Sequence, residues 1–572
     1  MNTEAMKCAL CGVQSSLKCA GCKLVAYCSP VHQKKHWRLQ HKNECAKPYE
    51  IVQNTESAKL ARNEEVGRFF LATENIPKGT TLFVETPLVI GPKWNLNEYE
   101  QRSSIVPCVG CFADCQIGLH RCEGCRWPAC KPDCPGLINA NLHALECGIL
   151  RLGGGPKSRD DPEAIVDYFR YDSLLVLKCL ALQITDRKRF DQMMQLESHY
   201  AARKGTQFYQ EADERTVQYL LKNFLNPLKK LEEQQGKTVL PVCDAKTLHK
   251  ISGILEVNAM VIPLSNGREI CGLYPIGCML EHCCMPNCHY TFNCDKGMKL
   301  TFKAGRDIEK NEHLSTTYTH SLWGTQQRRD HLRANKYFTC TCPRCADPTE
   351  LGTYLSALKC MGDDGNVCNG FQLPVDALDD NSDWKCDQCA ITIQSDQVNF
   401  LLSKIGEEVD GAMEKSSVKH MQDLIFKLST FLHPNHYLLF TLKHSLIQMY
   451  GHVSGYLTHQ LTDQILAEKI TMCRDMMKVV DRLDPDSFRL SLYAAVIFFE
   501  QQSALVEMNA RALQSGKSSE EDTSVRKNYN EALHCLMRAK QVLENEMGTQ
   551  QGKKLLEEIR KATERVESAM RC

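Results

Sequence analysis

The chain has 572 residues, 43% of them hydrophobic, and its 69 lysines and arginines balance 69 aspartates and glutamates. This length predicts several domains, and the net charge of zero argues against a global electrostatic grip on nucleic acid or an anionic membrane. The 32 cysteines indicate either disulfide bonds or, in a reducing compartment, metal sites. Because neither a signal peptide nor an apolar run of about 18 residues is recognisable, we expect zinc sites in a cytoplasmic and nuclear protein without membrane contact.

The first cysteine cluster, between residues 8 and 45, predicts two zinc sites. Zinc prefers four thiolate or imidazole ligands, and two ligands in a tight knuckle or four residues apart on a helix can share one ion. The cluster contains four such pairs, which are Cys8 and Cys11, Cys19 and Cys22, Cys28 and His32, and His41 and Cys45. His36 is a rival ligand, but its spacing fits the pairs less well. The basic excess of residues 1–47 favours a solvated face over a DNA-binding one.

A second cluster repeats this pattern after a predicted β unit at residues 60–92. Its four pairs are Cys108 and Cys111, Cys122 and Cys125, Cys130 and Cys134, and His143 and Cys147. Eight ligands in four pairs predict two more zinc ions. Cys115 falls between the pairs and is predicted to be a spare thiol.

Beyond a glycine-rich linker at 151–162, residues 163–235 show amphipathic helical patterning and residues 250–320 return to short strands. A third cysteine group, Cys340, Cys342 and Cys345, leaves one tetrahedral position open. A fourth group can close a site of its own and consists of Cys360, Cys368, Cys386 and Cys389. From about residue 395 onward, apolar residues recur at helical spacing, which predicts an antiparallel array of helices.

Both finger-like clusters resemble the MYND zinc finger, and three other segments resemble a SET domain. These segments read GRFFLATENIPKG at 67–79, LYPIGCMLEHCCMPNC at 273–288 and KAGRDIEKNEHLSTTY at 303–318. In this order, followed by the third cysteine group and the helical region, residues 50–572 are similar to the SET-and-MYND (SMYD) family. The extra N-terminal finger is typical of its arthropod SmydA branch.

The resemblance implies a multidomain α+β fold, in which a β-rich split SET domain carries zinc-binding MYND and post-SET modules. An all-α, TPR-like helical array follows. The expected segments are a first MYND-type finger (1–47), the first SET part (50–100), a second finger (105–147), a helical SET insert (163–249), the core SET segment (250–320), a cysteine-rich post-SET region (335–390) and the helical domain (395–572).

In the MYND family the ligand pairs interleave, the first with the third and the second with the fourth. Carried over, the first finger's sets are Cys8, Cys11, Cys28 and His32, and Cys19, Cys22, His41 and Cys45. The second finger's sets are Cys108, Cys111, Cys130 and Cys134, and Cys122, Cys125, His143 and Cys147. Cys284 matches a SET-domain cysteine that joins the three post-SET cysteines on zinc, so four to six ions are expected. MYND fingers also commonly dock proline-rich peptides, which implies protein partners.

The SET resemblance further implies a protein-lysine N-methyltransferase that uses S-adenosylmethionine and acts on a histone or non-histone lysine. Tyr318 matches the tyrosine at the methyl-transfer point, where its hydroxyl orients the lysine amine. The other cofactor contacts implied by the resemblance are Gly67, Arg68, Asn258, Glu281, His282 and Phe338. Methyl transfer requires an in-line approach in a dry channel, so positioning and electrostatics carry the catalysis.

Three residues depart from the family's motifs. Phe69 replaces a glycine where close backbone approach is wanted, Glu281 replaces an asparagine, and Lys336 stands where relatives have a channel tyrosine. These departures leave open an alternative, a catalytically inactive SET/MYND adaptor or transcriptional co-regulator that recruits partners through its fingers. A nucleic-acid reader is a third hypothesis, which a steep salt dependence of DNA affinity would support. Both main hypotheses predict that zinc chelation unfolds much of the N-terminal 390 residues.

Overall fold

The computed structural model describes residues 8–15, 17–19, 26–38, 57–63, 67–93, 105–139, 142–155, 168–264, 266–363, 367–415, 417–516 and 522–570. The strands are β1 Leu17–Lys18, β2 Ala26–Tyr27, β3 Ala58–Arg62, β4 Arg68–Ala72, β5 Thr81–Glu85, β6 Val89–Lys93, β7 Ile105–Pro107, β8 Asp114–Gln116, β9 Met260–Pro263, β10 Glu269–Leu273, β11 Glu281–His282, β12 Cys288–Asn293, β13 Lys299–Ala304, β14 His313–Thr316, β15 Leu358–Lys359, β16 Phe371–Pro374, β17 Trp384–Cys386 and β18 Thr392–Ile393.

The α-helices are α1 Pro30–His36, α2 Pro135–Ile138, α3 Ala144–Leu150, α4 Leu174–Thr185, α5 Arg187–Met193, α6 Tyr200–Arg203, α7 Gln207–Ala212, α8 Gln218–Leu220, α9 Asn226–Gln235, α10 Ala245–Asn258, α11 Thr325–Lys336, α12 Pro343–Ala346, α13 Ser395–Lys415, α14 Val418–Leu428, α15 Tyr437–Met449, α16 Asp463–Leu483, α17 Ser491–Gln514, α18 Thr523–Leu543 and α19 Gln550–Ala569. Two π-helical turns, Asp213–Val217 and Leu221–Leu225, join α7, α8 and α9 into one continuous segment. None of the described helices combines the length and apolar character needed to cross a membrane.

The chain forms two compact units, which are described separately. The first comprises Met1–Glu281 with Cys294–Leu314, and the second comprises His282–Asn293 with Ser315–Cys572. The chain thus enters the second unit, returns to the first and leaves it again within the SET-like segments.

Short antiparallel strand pairs form the β part of the first unit. Strand β10 lies between β6 and β9, while β5 pairs with β13. Strand β4 pairs with β3 along its whole length and with β14 through Leu71 opposite His313. Gly79 adopts a left-handed φ of 83° in the turn before β5, a conformation that glycine tolerates without strain. Most strands have only a few residues, as the frequent turn residues in the sequence predict.

Helix α4 is buried on all sides, although the sequence pattern predicted an amphipathic helix there. Its side chains from Leu174 to Gln183 are all buried. A Cβ atom added at Gly91 of β6 would lie 3.2 Å from the Leu175 Cβ, so this glycine permits the close approach of helix and strand. Helix α10 also runs on to Asn258, past the predicted start of the strand region at residue 250.

The second unit is dominated by the helices α13 to α19, each of which contacts a neighbour along the chain. Its apolar side chains form two buried clusters, one of which contains Cys473, Met477 and Val480 of α16. Leu466 and Ile470 of the same helix lie in the other. The predicted apolar stripe therefore forms helix–helix core. A four-stranded sheet in the order β15-β16-β17-β18 precedes these helices.

Candidate metal centres and active site

Five groups of four cysteine or histidine side chains lie close enough to hold a metal ion each within the part of the chain that the structure describes. In every group the ligand atoms are within 4.8 Å of one another. We name them the first-finger centre (Cys8, Cys11, Cys28, His32), centre A (Cys108, Cys111, Cys130, Cys134), centre B (Cys122, Cys125, His143, Cys147), the inner centre (Cys284, Cys340, Cys342, Cys345) and the ribbon centre (Cys360, Cys368, Cys386, Cys389). Thiolates and imidazoles in fours suit tetrahedral zinc.

The first-finger centre uses His32 rather than its rival. His32 Nδ1 lies 3.1 Å from the Cys28 sulfur and 3.7 Å from the Cys8 sulfur. Ser29 caps helix α1 by accepting a hydrogen bond from the His32 N–H, and Pro30 opens the helix. His36 instead lies 3.1 Å from the Tyr27 hydroxyl. Of the finger's other predicted set, Cys22, His41 and Cys45 lie outside the described residues, so the set including Cys19 stays a prediction.

In the second finger the structure brings the pairs together in the interleaved order. In centre A the Cys111 and Cys130 sulfurs are 3.6 Å apart, and the two remaining sulfurs are 3.9 Å apart. In centre B, His143 Nε2 lies 3.3 Å from the Cys122 sulfur. Each knuckle turns through a residue with positive φ, Phe112 in one and Arg126 in the other. Cys115 lies in neither group.

The inner centre is the most deeply buried of the all-cysteine groups. Cys284 and Cys345 are only 1% and 0% exposed, and their sulfurs are 3.5 Å apart. Arg328 of α11 directs Nε to the Cys284 sulfur at 3.3 Å and a terminal nitrogen to the Cys345 sulfur at 3.6 Å. A guanidinium donating to two thiolates offsets part of the negative charge of a zinc tetrathiolate. Sequence spacing did not single out Arg328.

Arg328 is itself held by a buried carboxylate. Its other terminal nitrogen donates to Glu350 at 2.6 Å, and Arg344 donates to the same carboxylate oxygen at 3.2 Å. Burial would raise the pKa of Glu350, but the two guanidinium groups outweigh this effect and lower it overall. Glu350 therefore stays ionised and fixes the guanidinium against the sulfur atoms.

The ribbon centre connects the ends of the β15–β18 sheet. Cys360 and Cys389 sulfurs are 3.6 Å apart, and those of Cys368 and Cys386 are 3.7 Å apart. The donors that reach its sulfurs are the backbone N–H groups of Gly370 and Gln388 and the Gln372 amide. Neutral amide donors therefore surround this centre, whereas a cation contacts the inner one.

Within the second unit, His282 joins the inner centre to the predicted methyl-transfer tyrosine. Its Nδ1 accepts a hydrogen bond from the Tyr318 backbone N–H at 3.0 Å, and its Nε2 lies 3.3 Å from the Cys284 sulfur. Because Nδ1 accepts, the proton sits on Nε2 and points to the thiolate. Burial lowers the pKa of His282 to about 4, so the imidazole is neutral. The imidazole thus fixes the Tyr318 backbone relative to a metal ligand.

Aromatic rings complete this part of the candidate site. The His282 ring centroid is 5.3 Å from that of Tyr318 and 5.9 Å from that of Phe338. Tyr318 also packs against the apolar side of the inner centre. Lys336 places Nζ 5.7 Å from the Tyr318 ring centroid, within range of a cation–π contact. Three predicted site residues, His282, Tyr318 and Phe338, therefore lie together.

The first unit holds the other predicted cofactor residues. Gly67 has a left-handed φ of 73° just before β4, and no atom of the described residues lies within 4 Å of the Cβ position it lacks. Arg68 donates to the Gln195 carbonyl at 3.0 Å, and the Asn258 amide donates to the Glu197 carbonyl at 2.8 Å. Arg68 and Asn258 are thus both anchored to the segment between α5 and α6.

The two main motif departures meet at His313. The Phe69 ring stacks on the His313 ring with centroids 4.1 Å apart and an angle of 12° between the planes. The Glu281 carboxylate lies 2.8 Å from His313 Nδ1. Phe69 is buried against the imidazole, and Glu281 has a partner for its charge. His313 was missed in the sequence because only the pairing of β4 with β14 reveals its position.

Known proteins match this architecture. The MYND finger family matches residues 8–45, and the SET domain family matches residues 67–319. The SET domain-containing protein SmydA-8, isoform A, of Drosophila melanogaster is 28% identical over 373 residues, which cover 64% of this chain and 72% of that protein. The Histone-lysine N-methyltransferase SMYD3 of Homo sapiens is 29% identical over 236 residues, 40% of this chain and 50% of that protein.

Among solved structures, the SET domain of LSMT bound to lysine and AdoHcy aligns over 94% of this chain and 90% of that chain. Its TM-score is 0.26 and its sequence identity is 10%. A likeness at that level carries no argument about the fold or the site.

Proposed function

Because the chain belongs to the SET- and MYND-domain family, in its SmydA-like branch, we propose that it is a protein-lysine N-methyltransferase. Its substrate would be a lysine side chain of a histone or another protein. S-adenosylmethionine, when bound, supplies a methyl group on a sulfonium centre. The chain's own residues then have to hold a neutral amine in line with that group and exclude water.

The observation that carries this proposal is the arrangement around Tyr318. His282 accepts a hydrogen bond from its backbone and lies 3.3 Å from the sulfur of Cys284, while Phe338 lies beside both rings. His282 therefore holds the backbone of Tyr318, because its hydrogen bond comes from the tyrosine's N–H and not from its hydroxyl. We propose that the Tyr318 hydroxyl orients the lysine amine. We propose that the cofactor is contacted by Gly67, Arg68, Asn258, Glu281, His282, Tyr318 and Phe338.

One observation favours the alternative of a catalytically inactive adaptor. Phe69, Glu281 and His313 form a stacked and hydrogen-bonded cluster in place of the family's glycine and asparagine. A carboxylate here can accept from the cofactor's ammonium group, but it repels the cofactor's carboxylate. His313 reduces that repulsion by engaging Glu281, and for this reason we place the enzyme first.

We propose protein partners for the fingers as a second activity of the same chain. Val13, Val31 and Trp37 are exposed apolar side chains on the first finger, and basic residues end helix α1. Such a surface suits a proline-rich peptide, whose preformed extended helix docks on apolar and aromatic side chains. Protein substrates and partners of this kind fit a location in the cytoplasm and nucleus.

A methyl-transfer assay on lysine-containing protein mixtures tests the proposed activity. Tyr318→Phe should abolish incorporation of label from S-adenosylmethionine while leaving the fold and zinc content unchanged. Tyr354→Phe is the matched control, because Tyr354 stacks on His433 in the same unit and has no assigned role. Equal labelling by wild type and Tyr318→Phe would contradict the proposal.

A further inference from the structure

Lys178 is a buried lysine that the proposed reaction does not use. It lies in helix α4, and its side chain is 0% exposed. A lysine loses several kcal/mol of hydration on burial and is rarely found there without a partner. Burial accordingly lowers the pKa of Lys178, and the nearby Glu146 carboxylate opposes that shift.

The carboxylate partner of Lys178 is Glu146, which also contacts a predicted ligand of centre B. Lys178 Nζ lies 3.7 Å from Glu146 Oε1, and the same oxygen lies 3.0 Å from His143 Nδ1. Glu146 is 0% exposed as well. On the other side of the imidazole, Nε2 lies 3.2 Å from the Cys125 sulfur. Lys178, Glu146 and His143 therefore form one chain of contacts that ends at the predicted metal ligands.

The chemistry of this chain fixes the histidine for metal binding. A carboxylate at Nδ1 accepts a hydrogen bond from the N–H there, so the ring proton stays on Nδ1 and the lone pair of Nε2 is free for the metal. Three thiolates on one divalent zinc give centre B a net charge of −1 with a neutral imidazole, and Glu146 adds another negative charge. Lys178 places its ammonium group beside that carboxylate and offsets part of the buried negative charge.

Lys178 also contacts the other half of the finger. Its Nζ lies 5.3 Å from the ring centroid of Phe112, the residue that follows Cys111 in the knuckle of centre A. The aromatic face attracts the ammonium group. One side chain of the helical insert therefore contacts the surroundings of both predicted metal ions of the second finger.

We propose that Lys178 is a positioning residue for the second finger's zinc centres, acting on His143 through Glu146 and on the centre A knuckle through Phe112. In this role the lysine docks the finger on helix α4, which itself packs on β6 through Leu175 and Gly91. Metal binding in the finger and attachment of the finger to the SET strands then depend on each other. This inference does not rest on the proposed methyltransferase activity.

The test compares zinc release from the full chain carrying Lys178→Met with release from Lys469→Met. Lys469 of α16 is a matched control, because it is 2% exposed, its Nζ lies 2.6 Å from the Glu500 carboxylate of α17, and neither helix carries a predicted metal ligand. Loss of an outer partner of a metal ligand lowers metal affinity by about 10- to 100-fold. We therefore expect Lys178→Met to speed zinc transfer to a chromophoric chelator by at least about tenfold, and Lys469→Met to leave it unchanged.

Cadmium-113 spectra of the substituted protein identify the site affected. The resonance that changes in His143→Cys belongs to centre B, and it should also shift in Lys178→Met but not in Lys469→Met. The double variant Lys178→Met/Glu146→Gln should recover most of the wild-type release rate, because neither partner is left as a lone buried charge.

Glu146→Gln alone keeps the proposal testable if Lys178→Met does not fold, since it must speed release from the same centre. The proposal is overturned if a folded Lys178→Met or Glu146→Gln protein releases zinc as the wild type does. It is also overturned if the two substitutions act additively, or if Lys469→Met shifts the centre B resonance equally.

Discussion

The inner centre and the ribbon centre are both built from four cysteines, yet different donors surround their sulfur atoms. Arg328 directs a guanidinium to the inner centre, whereas amide groups of Gly370, Gln372 and Gln388 reach the ribbon centre. The inner centre is also the more buried of the two, since its Cys345 is fully buried while Cys389 of the ribbon centre is partly exposed. Four thiolates around one zinc leave a net charge of −2, whose cost rises with burial. A cation is therefore needed where the centre is deep, and neutral donors suffice where it is shallow.

The two centres also differ in what they support. Through His282, the inner centre is linked to Tyr318, the predicted methyl-transfer residue. The ribbon centre closes the sheet of β15 to β18, whose strands carry none of the predicted cofactor residues. Loss of metal from the first should disturb the candidate active site, and loss from the second should not.

Complete zinc removal should produce the largest effect, and the ribbon centre should lose its structure earlier than the inner centre. Structural zinc contributes about 10–16 kcal/mol in small metal-dependent domains, so its loss should unfold much of the first 390 residues. Helices α13 to α19 should stay folded, because their apolar clusters form without metal ligands. Hydrogen exchange followed by mass spectrometry during chelation should show the ribbon centre opening before the inner centre. The metal assignment would be disproved if the cysteine-rich regions kept their secondary structure after full zinc removal and still showed a cooperative unfolding transition.

Substitution of the outer donors should give the next largest effect. Arg328→Met leaves Glu350 and the thiolates with less compensating charge, and breaking a buried pair costs about 3–5 kcal/mol of the free energy of unfolding. Gln372→Leu should cost about 1 kcal/mol or less, because only a neutral donor is lost and the amide oxygen has no hydrogen-bond partner among the described residues. Denaturant titration at fixed free zinc measures both. Equal losses would contradict the contrast between the centres.

Two buried carboxylates also differ in whether a cation compensates their charge, and this difference predicts different effects of pH on stability. Glu350 has two guanidinium partners, whereas Glu85 accepts only from the backbone N–H groups of Ile276 and Gly277 among the bonds described. Burial raises the pKa of Glu85 from 4.5 to about 7, and the backbone donors only partly oppose this. As pH rises, the Glu85 carboxyl ionises at a lower pH in the unfolded chain than in the folded one. The free energy of unfolding should therefore fall between pH 4.5 and 7, by about 3 kcal/mol in total.

Glu85→Gln isolates this contribution, because the amide oxygen still accepts from the backbone while carrying no charge. The unfolding free energy of wild type minus that of the variant should fall between pH 4.5 and 7 and then level off. The corresponding difference for Glu350→Gln should not fall over that range, because the pKa of Glu350 is lowered. If the difference between wild type and Glu85→Gln did not change with pH, the pKa of the Glu85 carboxyl would not be raised in the folded protein.

The cysteine sets were predictable because short ligand spacings are local and zinc geometry is strict. The structure brings together the ligand atoms of five predicted sets, two of which include a histidine, and the choice of His32 over His36 follows helix α1. The C-terminal helices were predictable for a similar reason, since apolar periodicity is a local property. Zinc binding at these positions stays a prediction.

Long-range partners were not predictable from spacing. Arg328 and the Lys178–Glu146 pair depend on which helix packs on which centre, and a charged residue in a helix usually faces solvent. The meeting of Phe69, Glu281 and His313 depends on strand pairing across 244 positions, from Phe69 to His313. Helix α4 was misjudged as amphipathic because the pattern did not show that Lys178 and Gln183 are buried.

Calorimetric titration of S-adenosylmethionine into the zinc-loaded protein tests the central claim most directly. We expect micromolar binding, about −8 kcal/mol, for the wild type and for Cys389→Ser of the ribbon centre. Cys284→Ser should lose binding, because the His282 and Tyr318 arrangement depends on the inner centre. The absence of binding by a folded, metal-replete wild type would contradict the methyltransferase proposal and favour the adaptor.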